Sequence, residues 1–235
     1  MKQELYTEVI NASVGNHAIH GVEDVIMKVF FATRNNGKVD YVKKVTHGLD
    51  GLTIVQYPLS LPETQSCDVE KVASDKVKFA FNEINNSREK KVPCIALDSG
   101  LYIAAFNGWP GTLIKSTLDA IKVEGLLKLV QGKPRECEIK PCLAYWDGNL
   151  SEPLTFPATI KGKITEEPKG ETKLYHWSDF ARIFIPEGFF ITEAEMNIDT
   201  YEGWRKKQMF LQLILLNGSW KLNKNNFSDF FSLNQ

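Results

Sequence analysis

The sequence lacks an excess of charge of either sign, and this absence limits the partners that we expect. The 235 residues contain 28 Lys and Arg against 29 Asp and Glu, so the formal net charge at pH 7 is −1. Domains that bind nucleic acid or anionic membrane surfaces usually carry a marked basic excess. We therefore expect no nucleic-acid partner and no membrane partner, and any anion site must be a local cluster of cations.

Long apolar runs and paired cysteines are also missing. No run approaches the roughly 20 residues that a transmembrane helix needs, and residues 1–24 lack the basic start and apolar stretch of a secretory signal. The four cysteines form no Cys-x-x-Cys pair, and their spacing to histidine does not suggest zinc. We expect reduced thiols in a cytoplasmic protein.

The composition is otherwise that of a globular protein with a sizeable core, at 43% hydrophobic and 24% charged residues. We predict an N-terminal extension over residues 1–24, one domain over residues 25–216, and an aromatic-rich C-terminal tail over residues 217–235. The tail contains Trp220, Phe227 and Phe230, which predicts docking on the body or on a second subunit.

The first strong pattern is a buried strand that leads through a polar turn into a helix. Residues 25–33 are apolar and mostly β-branched or aromatic, apart from Lys28, and the turn Asn35-Asn36-Gly37 tolerates positive φ. Lys38 follows at the start of the helix. This geometry points backbone N–H groups at an anion. From these residues alone, an anion site and an ordinary connection with a surface lysine both stay open.

Further along, strands and helices alternate first, and antiparallel strands follow. Helices are predicted over residues 69–86, 116–131 and 201–216, the second with Ser116 and Asp119 at capping-box spacing and a break near Gly125. Strands are predicted over residues 52–59, 92–97, 101–106, 138–146, 154–164 and 181–185, with a turn at residues 98–100. This order predicts an α/β fold with a mixed β-sheet flanked by helices.

Ligands in such folds bind beyond the carboxyl ends of the strands. Thr33, Glu63 and Asp98 each follow a predicted strand. We therefore expect these three residues to converge at one cleft.

Six short motifs occur in an order and at spacings that resemble one known family. They are Thr33-x-Asn35-x-x-Lys38, Leu61-Pro62-Glu63-x-Gln65, Asp98-Ser99-Gly100-Leu101, Asn107-Gly108-Trp109-Pro110-Gly111-x-x-Ile114-Lys115, Phe184-Ile185-Pro186-Glu187-Gly188 and Thr192-Glu193-Ala194-Glu195-Met196. Together they resemble the motifs of the inosine triphosphate pyrophosphatase family, also called the Ham1-like family, from about residue 29 to residue 210.

The resemblance implies a two-lobed homodimer with an active-site cleft between the lobes. It also implies Mg²⁺-dependent hydrolysis of a nucleoside triphosphate, such as ITP or XTP, to a monophosphate and pyrophosphate. Mg²⁺ prefers hard oxygen ligands, and by resemblance Glu63 and Asp98 would hold it. The alternative role that the resemblance gives Asp98 is to orient and deprotonate the attacking water. Lys38, as both a catalytic and a binding residue, would contact phosphate together with Lys115, helped by Thr33 and Asn35.

For the base, the resemblance implies a pocket built from two segments late in the chain. The family's Phe-Gly-Trp-Asp-Pro is poorly kept, and Trp177 and Asp179 match it only with a local insertion. The family's Ser-His-Arg is Gly203-Trp204-Arg205 here. Arg205 is kept, and Trp204 either stacks on the base or turns into the core.

Two further departures bear on the phosphate and metal sites. The family glycine after the threonine is Arg34, and the family Glu-Asp pair is Leu97-Asp98. Three functions therefore stay open. The first is an active pyrophosphatase with a shifted base preference, and the second is a catalytically weakened member that binds a nucleotide or a protein partner. The third is a related enzyme that acts on a different base.

Overall fold

The structure, a computed structural model, describes residues 27–46, 52–62 and 64–205. The predicted N-terminal extension, the tail, Glu63 and the last helix beyond residue 205 lie outside the described residues. The strands are β1 (Met27–Ala32), β2 (Leu52–Tyr57), β3 (Cys94–Ile103), β4 (Pro110–Gly111), β5 (Glu136–Trp146), β6 (Leu154–Pro157), β7 (Ile160–Ile164) and β8 (Phe184–Pro186). The helices are α1 (Asn36–Thr46), α2 (Val69–Asn85), α3 (Ile114–Leu129) and α4, which covers residues 198–205.

The described strands form one mixed sheet in the order β2-β1-β3-β5-β7-β8, with β4 on β3 and β6 on β5. Strand β1 runs parallel to β2 and β3, and the other pairs are antiparallel. The predicted α/β fold with a mixed sheet is therefore confirmed. No helix in the described parts of the chain is long and apolar enough to cross a membrane.

The helices cover both faces of this sheet because side chains along a strand alternate between faces. Val29 and Phe31 of β1 pack in a cluster with Val39 of α1, whereas Phe30 and Ala32 pack in a second cluster with α2. The buried side of α2 matches the predicted helical stripe, namely Val69, Val72, Ala73, Val77, Ala80, Phe81 and Ile84. A third cluster joins α3 and α4 to β3, β5 and β7.

Strand β3 corrects the prediction of a turn at residues 98–100. It runs unbroken through these residues, and each of its residues from Cys94 to Ile103 pairs with β5. Glycine at position 100 allows close packing and does not form a turn. A Cβ there would lie 2.9 Å from the carbonyl carbon of Gly111 and 2.7 Å from the ring of Tyr102. Asp98 therefore lies inside a strand and not beyond its end.

Three other elements differ from the predictions. Helix α3 begins at Ile114 without a side-chain cap, so Ser116 does not cap it, and the break falls at Lys122 (φ 58°, ψ −179°). The predicted strand over residues 154–164 is divided into β6 and β7. Residues 179–182 form a 3₁₀ turn in which the Ser178 hydroxyl accepts a hydrogen bond from Phe180 N–H, so β8 begins only at Phe184.

Candidate active site

An open stretch on one edge of β3 defines the site. Strand β1 pairs with β3 only at Cys94 and Ile95, and β4 joins the same edge only at Leu101 and Tyr102. The opposite edge is covered throughout by β5. The edge between these two contacts, which includes Asp98, is left without a strand neighbour among the described residues. A cavity of ≈ 690 Å³ lies beside it.

The turn after β1 forms one wall of this cavity. The Thr33 hydroxyl accepts a hydrogen bond from Asn35 N–H (3.1 Å), and the Asn35 side-chain oxygen accepts one from Lys38 N–H (3.0 Å). Asn35 therefore caps α1. Lys38 Nζ donates to the Leu97 carbonyl of β3 at 3.4 Å. The predicted residues Thr33, Asn35 and Lys38 all line the cavity.

Asp98 faces a lysine that the sequence reasoning missed. Its side chain is largely buried, and Oδ1 accepts a hydrogen bond from Lys76 Nζ at 2.5 Å. Lys76 lies on α2, four residues from Val72 and from Ala80, within the apolar stripe of that helix. A lysine at such a position was the available signal, because a cation on a buried helical face needs a partner.

The other end of the cavity is aromatic and cationic. The Arg205 guanidinium carbon lies 4.3 Å from the ring centre of Trp177, and Lys38 Nζ lies 5.4 Å from the same centre. Arg205 is 3% exposed, and its Nε donates to the Tyr201 hydroxyl at 3.2 Å. The Tyr41 hydroxyl donates to the Arg205 carbonyl. These contacts hold the guanidinium in one position.

Glu193 is the second functional candidate that the sequence reasoning missed. Its Oε2 lies 3.5 Å from Arg205 Nη2, the side chain is 3–4% exposed, and both residues line the cavity. Burial raises the pKa of the Glu193 carboxyl, and the charge of Arg205 opposes that rise. Glu193 Oε1 and Arg205 Nη1 are buried without a hydrogen-bond partner in the described residues.

The structure brings the remaining predicted residues to different places. Lys115 lines the cavity, but its side chain is 76% exposed and its Nζ pairs with Asp119 at 2.9 Å. Trp204 does not line the cavity; it is buried in the third core cluster against Phe189 and Tyr201. Trp204 therefore takes the core position that the sequence left open as an alternative.

Asp179 also lies away from the cavity. It is exposed in the 3₁₀ turn that follows Ser178, and its carboxylate accepts a hydrogen bond from the Thr172 hydroxyl at 2.6 Å. By resemblance Asp179 matches the family motif only with a local insertion after Trp177, and it is not among the residues that line the cavity. The predicted contact between Asp179 and the substrate has no support in this placement.

The acidic residues of the cavity suit a weakly coordinated Mg²⁺. No group of three or more His, Cys, Asp or Glu side chains in the described segments could enclose a metal ion. Mg²⁺ commonly takes only one or two protein carboxylates and completes its shell with water and substrate phosphates. Asp98 supplies one such carboxylate beside the open edge of β3. The donor chemistry of Asp98 therefore fits a divalent cation that is bound together with a polyphosphate.

Comparison with known proteins identifies a family and individual relatives of this chain. A model of the Ham1 family matches residues 29–208. A dITP/XTP pyrophosphatase of Thermococcus kodakarensis is 36% identical over 174 residues, which cover 74% of this chain and 87% of the relative. An inosine triphosphate pyrophosphatase of Yarrowia lipolytica is 33% identical over 177 residues, covering 74% of this chain and 86% of the relative.

Solved structures agree on the fold. The Ham1 protein of Staphylococcus aureus superposes with a TM-score of 0.65 at 22% identity, over 81% of this chain and 98% of that chain. A nucleoside-triphosphatase, also named dITP/XTP pyrophosphatase, of Mycobacterium abscessus gives 0.62 at 23% identity, over 80% and 99%. With the family model matching most of the described residues, the chain belongs to the Ham1 family.

Proposed function

We propose that the protein hydrolyses nucleoside triphosphates, and in particular non-standard purine triphosphates such as ITP and XTP, to a monophosphate and pyrophosphate with Mg²⁺. The relatives that bear the name dITP/XTP pyrophosphatase support this proposal. The observation that carries it is a cavity with a carboxylate and lysines beside β3 and a Trp–Arg pair at the other end.

A series of contacts connects the two ends of this cavity. Lys38 Nζ donates a hydrogen bond to the carbonyl of Leu97, next to Asp98, and also lies against the ring of Trp177. The Trp177 ring in turn packs on Arg205. Phosphate groups would therefore lie near Asp98 and Lys38, and the base would lie near Trp177 and Arg205. Fixed cations that face a triphosphate stabilise the charge that develops as the pyrophosphate leaves.

In this reaction Asp98 would orient the attacking water and receive its proton, since it is the buried carboxylate beside the open edge. Lys76 would fix the position of that carboxylate. Mg²⁺ would be held by Asp98 and Glu63 and would neutralise charge on the triphosphate. Lys38 and Lys115 would bind phosphate oxygens, with Thr33 and Asn35 shaping the turn.

Pyrophosphate release from ITP, XTP, GTP and ATP, with Mg²⁺ or with EDTA, tests the proposal. We expect turnover of ITP or XTP above about 1 s⁻¹, the low end for ordinary enzymes, and none with EDTA. No release from any of the four with Mg²⁺ would contradict the proposal.

A catalytically weakened nucleotide-binding protein is the second candidate. It is favoured by the contact between Lys76 and Asp98 and by Leu97 at the position of the family glutamate. Tight binding of ITP without pyrophosphate release would identify this second function.

We also propose that the protein is a cytoplasmic homodimer. The thiols of Cys94, Cys137 and Cys142 are buried, which raises the pKa of each to about 12, and Cys67 is exposed and unpaired. Free thiols suit a reducing compartment. A solution mass near twice 26.6 kDa would support the dimer, and a mass near 26.6 kDa would contradict it.

A further inference from the structure

A buried ion pair lies at the aromatic end of the cavity. Glu193 and Arg205 are joined by one contact of 3.5 Å, and both line the cavity. One atom of each side chain, Oε1 and Nη1, is buried without a hydrogen-bond partner in the described part of the chain. The pair therefore has one unused acceptor and one unused donor at the same place.

A purely structural ion pair is not expected to be built this way. Burying two charges costs several kcal/mol each unless good geometry and further hydrogen bonds compensate. Here the contact is long, and unpartnered buried polar atoms are rare in folded proteins. Arg205 is already fixed by the Tyr201 hydroxyl and by the Trp177 ring, so Glu193 is not needed to hold it.

We propose that Glu193 is a specificity-determining residue that, together with Arg205, reads positions 1 and 6 of a purine base. Oε1 of Glu193 accepts a hydrogen bond from N1–H, and Nη1 of Arg205 donates one to O6. This inference rests on the proposed function, because it assigns the base contacts of the same cavity. Glu193 does not take part in the hydrolysis itself.

The two contacts select 6-oxopurines over adenine. Hypoxanthine, xanthine and guanine each present a donor at N1 and an acceptor at position 6. Adenine presents the reverse, an acceptor at N1 and an amino group at position 6, so both contacts become repulsive. A site with buried polar groups rejects a substrate that leaves them unpaired. The pair does not inspect position 2, so it gives no discrimination of ITP from GTP.

The test compares Glu193→Gln with Glu195→Gln. Gln keeps the size of Glu193 but removes its charge and allows an amide N–H to face N1 of adenine. Glu195 lies two residues away, is exposed and belongs to the local capping box, so it is a matched control. The measured quantity is the ratio of kcat/KM for ITP to kcat/KM for ATP. The ratio cancels any uniform change in triphosphate attraction.

We expect the wild type to prefer ITP over ATP. Glu193→Gln should lower the ratio by about tenfold or more, as for the loss of a charge-assisted hydrogen bond, and Glu195→Gln should leave it unchanged. A ratio in Glu193→Gln within about twofold of the wild type overturns the inference, as does an equal fall in Glu195→Gln. If Glu193→Gln fails to fold, Glu193→Asp is used instead. This variant keeps the charge but moves the carboxylate oxygen away from N1 of the base, and it must still lower the ratio of kcat/KM for ITP to that for ATP.

Failure of the proposed function gives a different result. If the wild type releases no pyrophosphate from any triphosphate, the same ratio is taken from equilibrium Kd values for ITP and ATP. A preference for ITP that Glu193→Gln removes supports the inference even then. Equal affinity of the wild type for ITP and ATP overturns it.

Discussion

At the scale of single residues, Lys38 and Lys115 of the cavity differ in how far their side chains are buried. Lys38 is half-buried and touches both β3 and Trp177, whereas the Lys115 side chain is 76% exposed and paired with Asp119. A charge that solvent screens contributes little. The two lysines that the family resemblance treats alike should therefore differ in their contribution to binding.

We expect Lys38→Met to weaken triphosphate binding by about 1–3 kcal/mol, as for a lost charge-assisted contact. Lys115→Met should cost less than about 1 kcal/mol. Lys128→Met, an exposed position on the same helix as Lys115, is the control. Isothermal titration of ITP measures all three, and unchanged affinity in both cavity variants would refute the assignment.

Asp98 is expected to be indispensable for turnover. Asp98→Asn should abolish pyrophosphate release and leave the protein folded, because an amide neither accepts the proton of water nor binds Mg²⁺ well. The steady-state rate and the circular dichroism spectrum check the two parts. Asp147→Asn, in the turn between β5 and β6, should keep the wild-type rate. If Asp98→Asn keeps most of the wild-type rate, another group must act on the attacking water.

His176 gives stability a dependence on pH. Its Nδ1 accepts a hydrogen bond from Lys173 N–H, and Nε2 is buried without a partner in the described residues. Burial, together with the charges of Lys173 and Arg205, lowers the pKa of His176, and a backbone contact with Glu193 opposes this shift without reversing it. Below the ordinary histidine pKa of about 6.5, the unfolded chain binds a proton more readily than the folded one. The free energy of unfolding therefore decreases as the pH is lowered.

We expect His176→Asn, which keeps an acceptor but cannot titrate, to remove this dependence. Between pH 7.5 and 5, the wild type should lose more stability than the variant, by at most about 1.4 kcal/mol per pH unit below 6.5. Urea unfolding at several pH values measures the difference. Parallel curves for the two proteins would disprove the role of His176.

The residues that the sequence predicted in the turn after β1 have local contacts, and they line the cavity. Thr33, Asn35 and Lys38 form a turn held by bonds over two or three residues. Lys76 and Glu193 were missed because their partners lie 22 and 12 residues away, and no local pattern reveals such a pairing. Both stand out only as charged residues on buried surfaces.

At the scale of elements, helix α3 contains a strained residue. Lys122 has φ 58° and ψ −179°, a conformation that is close to the region used almost only by glycine and that costs a side chain about 1–3 kcal/mol. Lys122→Gly should relieve this strain at the expense of about 0.5–1 kcal/mol in backbone entropy. We expect a net stabilisation of about 1 kcal/mol.

The control for this prediction lies on the same helix. Lys128 is exposed in the last turn of α3 and has helical backbone angles, so Lys128→Gly should destabilise by about 0.5–1 kcal/mol. Thermal or urea unfolding measures both variants. Equal destabilisation by the two glycines would show that Lys122 is not strained.

Elements with a regular pattern were predicted well, and those with mixed signals were not. The apolar stripe of α2 and the continuous apolar run of β1 bury the residues that these patterns indicate. Strand β3 was divided because Asp-Ser-Gly has the composition of a turn. Pairing along its whole length with β5 outweighs that local preference, as tertiary context often does.

At the scale of the whole molecule, the cavity draws its lining from positions 32 to 205. Strands β1 and β3, helices α2 and α3 and the residue Arg205 of α4 all contribute to it. A ligand that contacts all these elements binds only the folded chain, so it must stabilise the whole domain. Nucleotide binding should therefore appear as a shift of one unfolding transition.

We expect an α,β-imido analogue of ITP with Mg²⁺ to produce this shift without being hydrolysed. At one hundred times its Kd, the analogue adds about 2.7 kcal/mol to the free energy of unfolding. In a domain of this size that corresponds to a rise of roughly 5–11 °C in Tm. Lys38→Met at the same analogue concentration should show a smaller rise, because its Kd is higher, and Lys128→Met should match the wild type. A rise in Tm that is the same for Lys38→Met and the wild type would mean that the analogue binds outside this cavity.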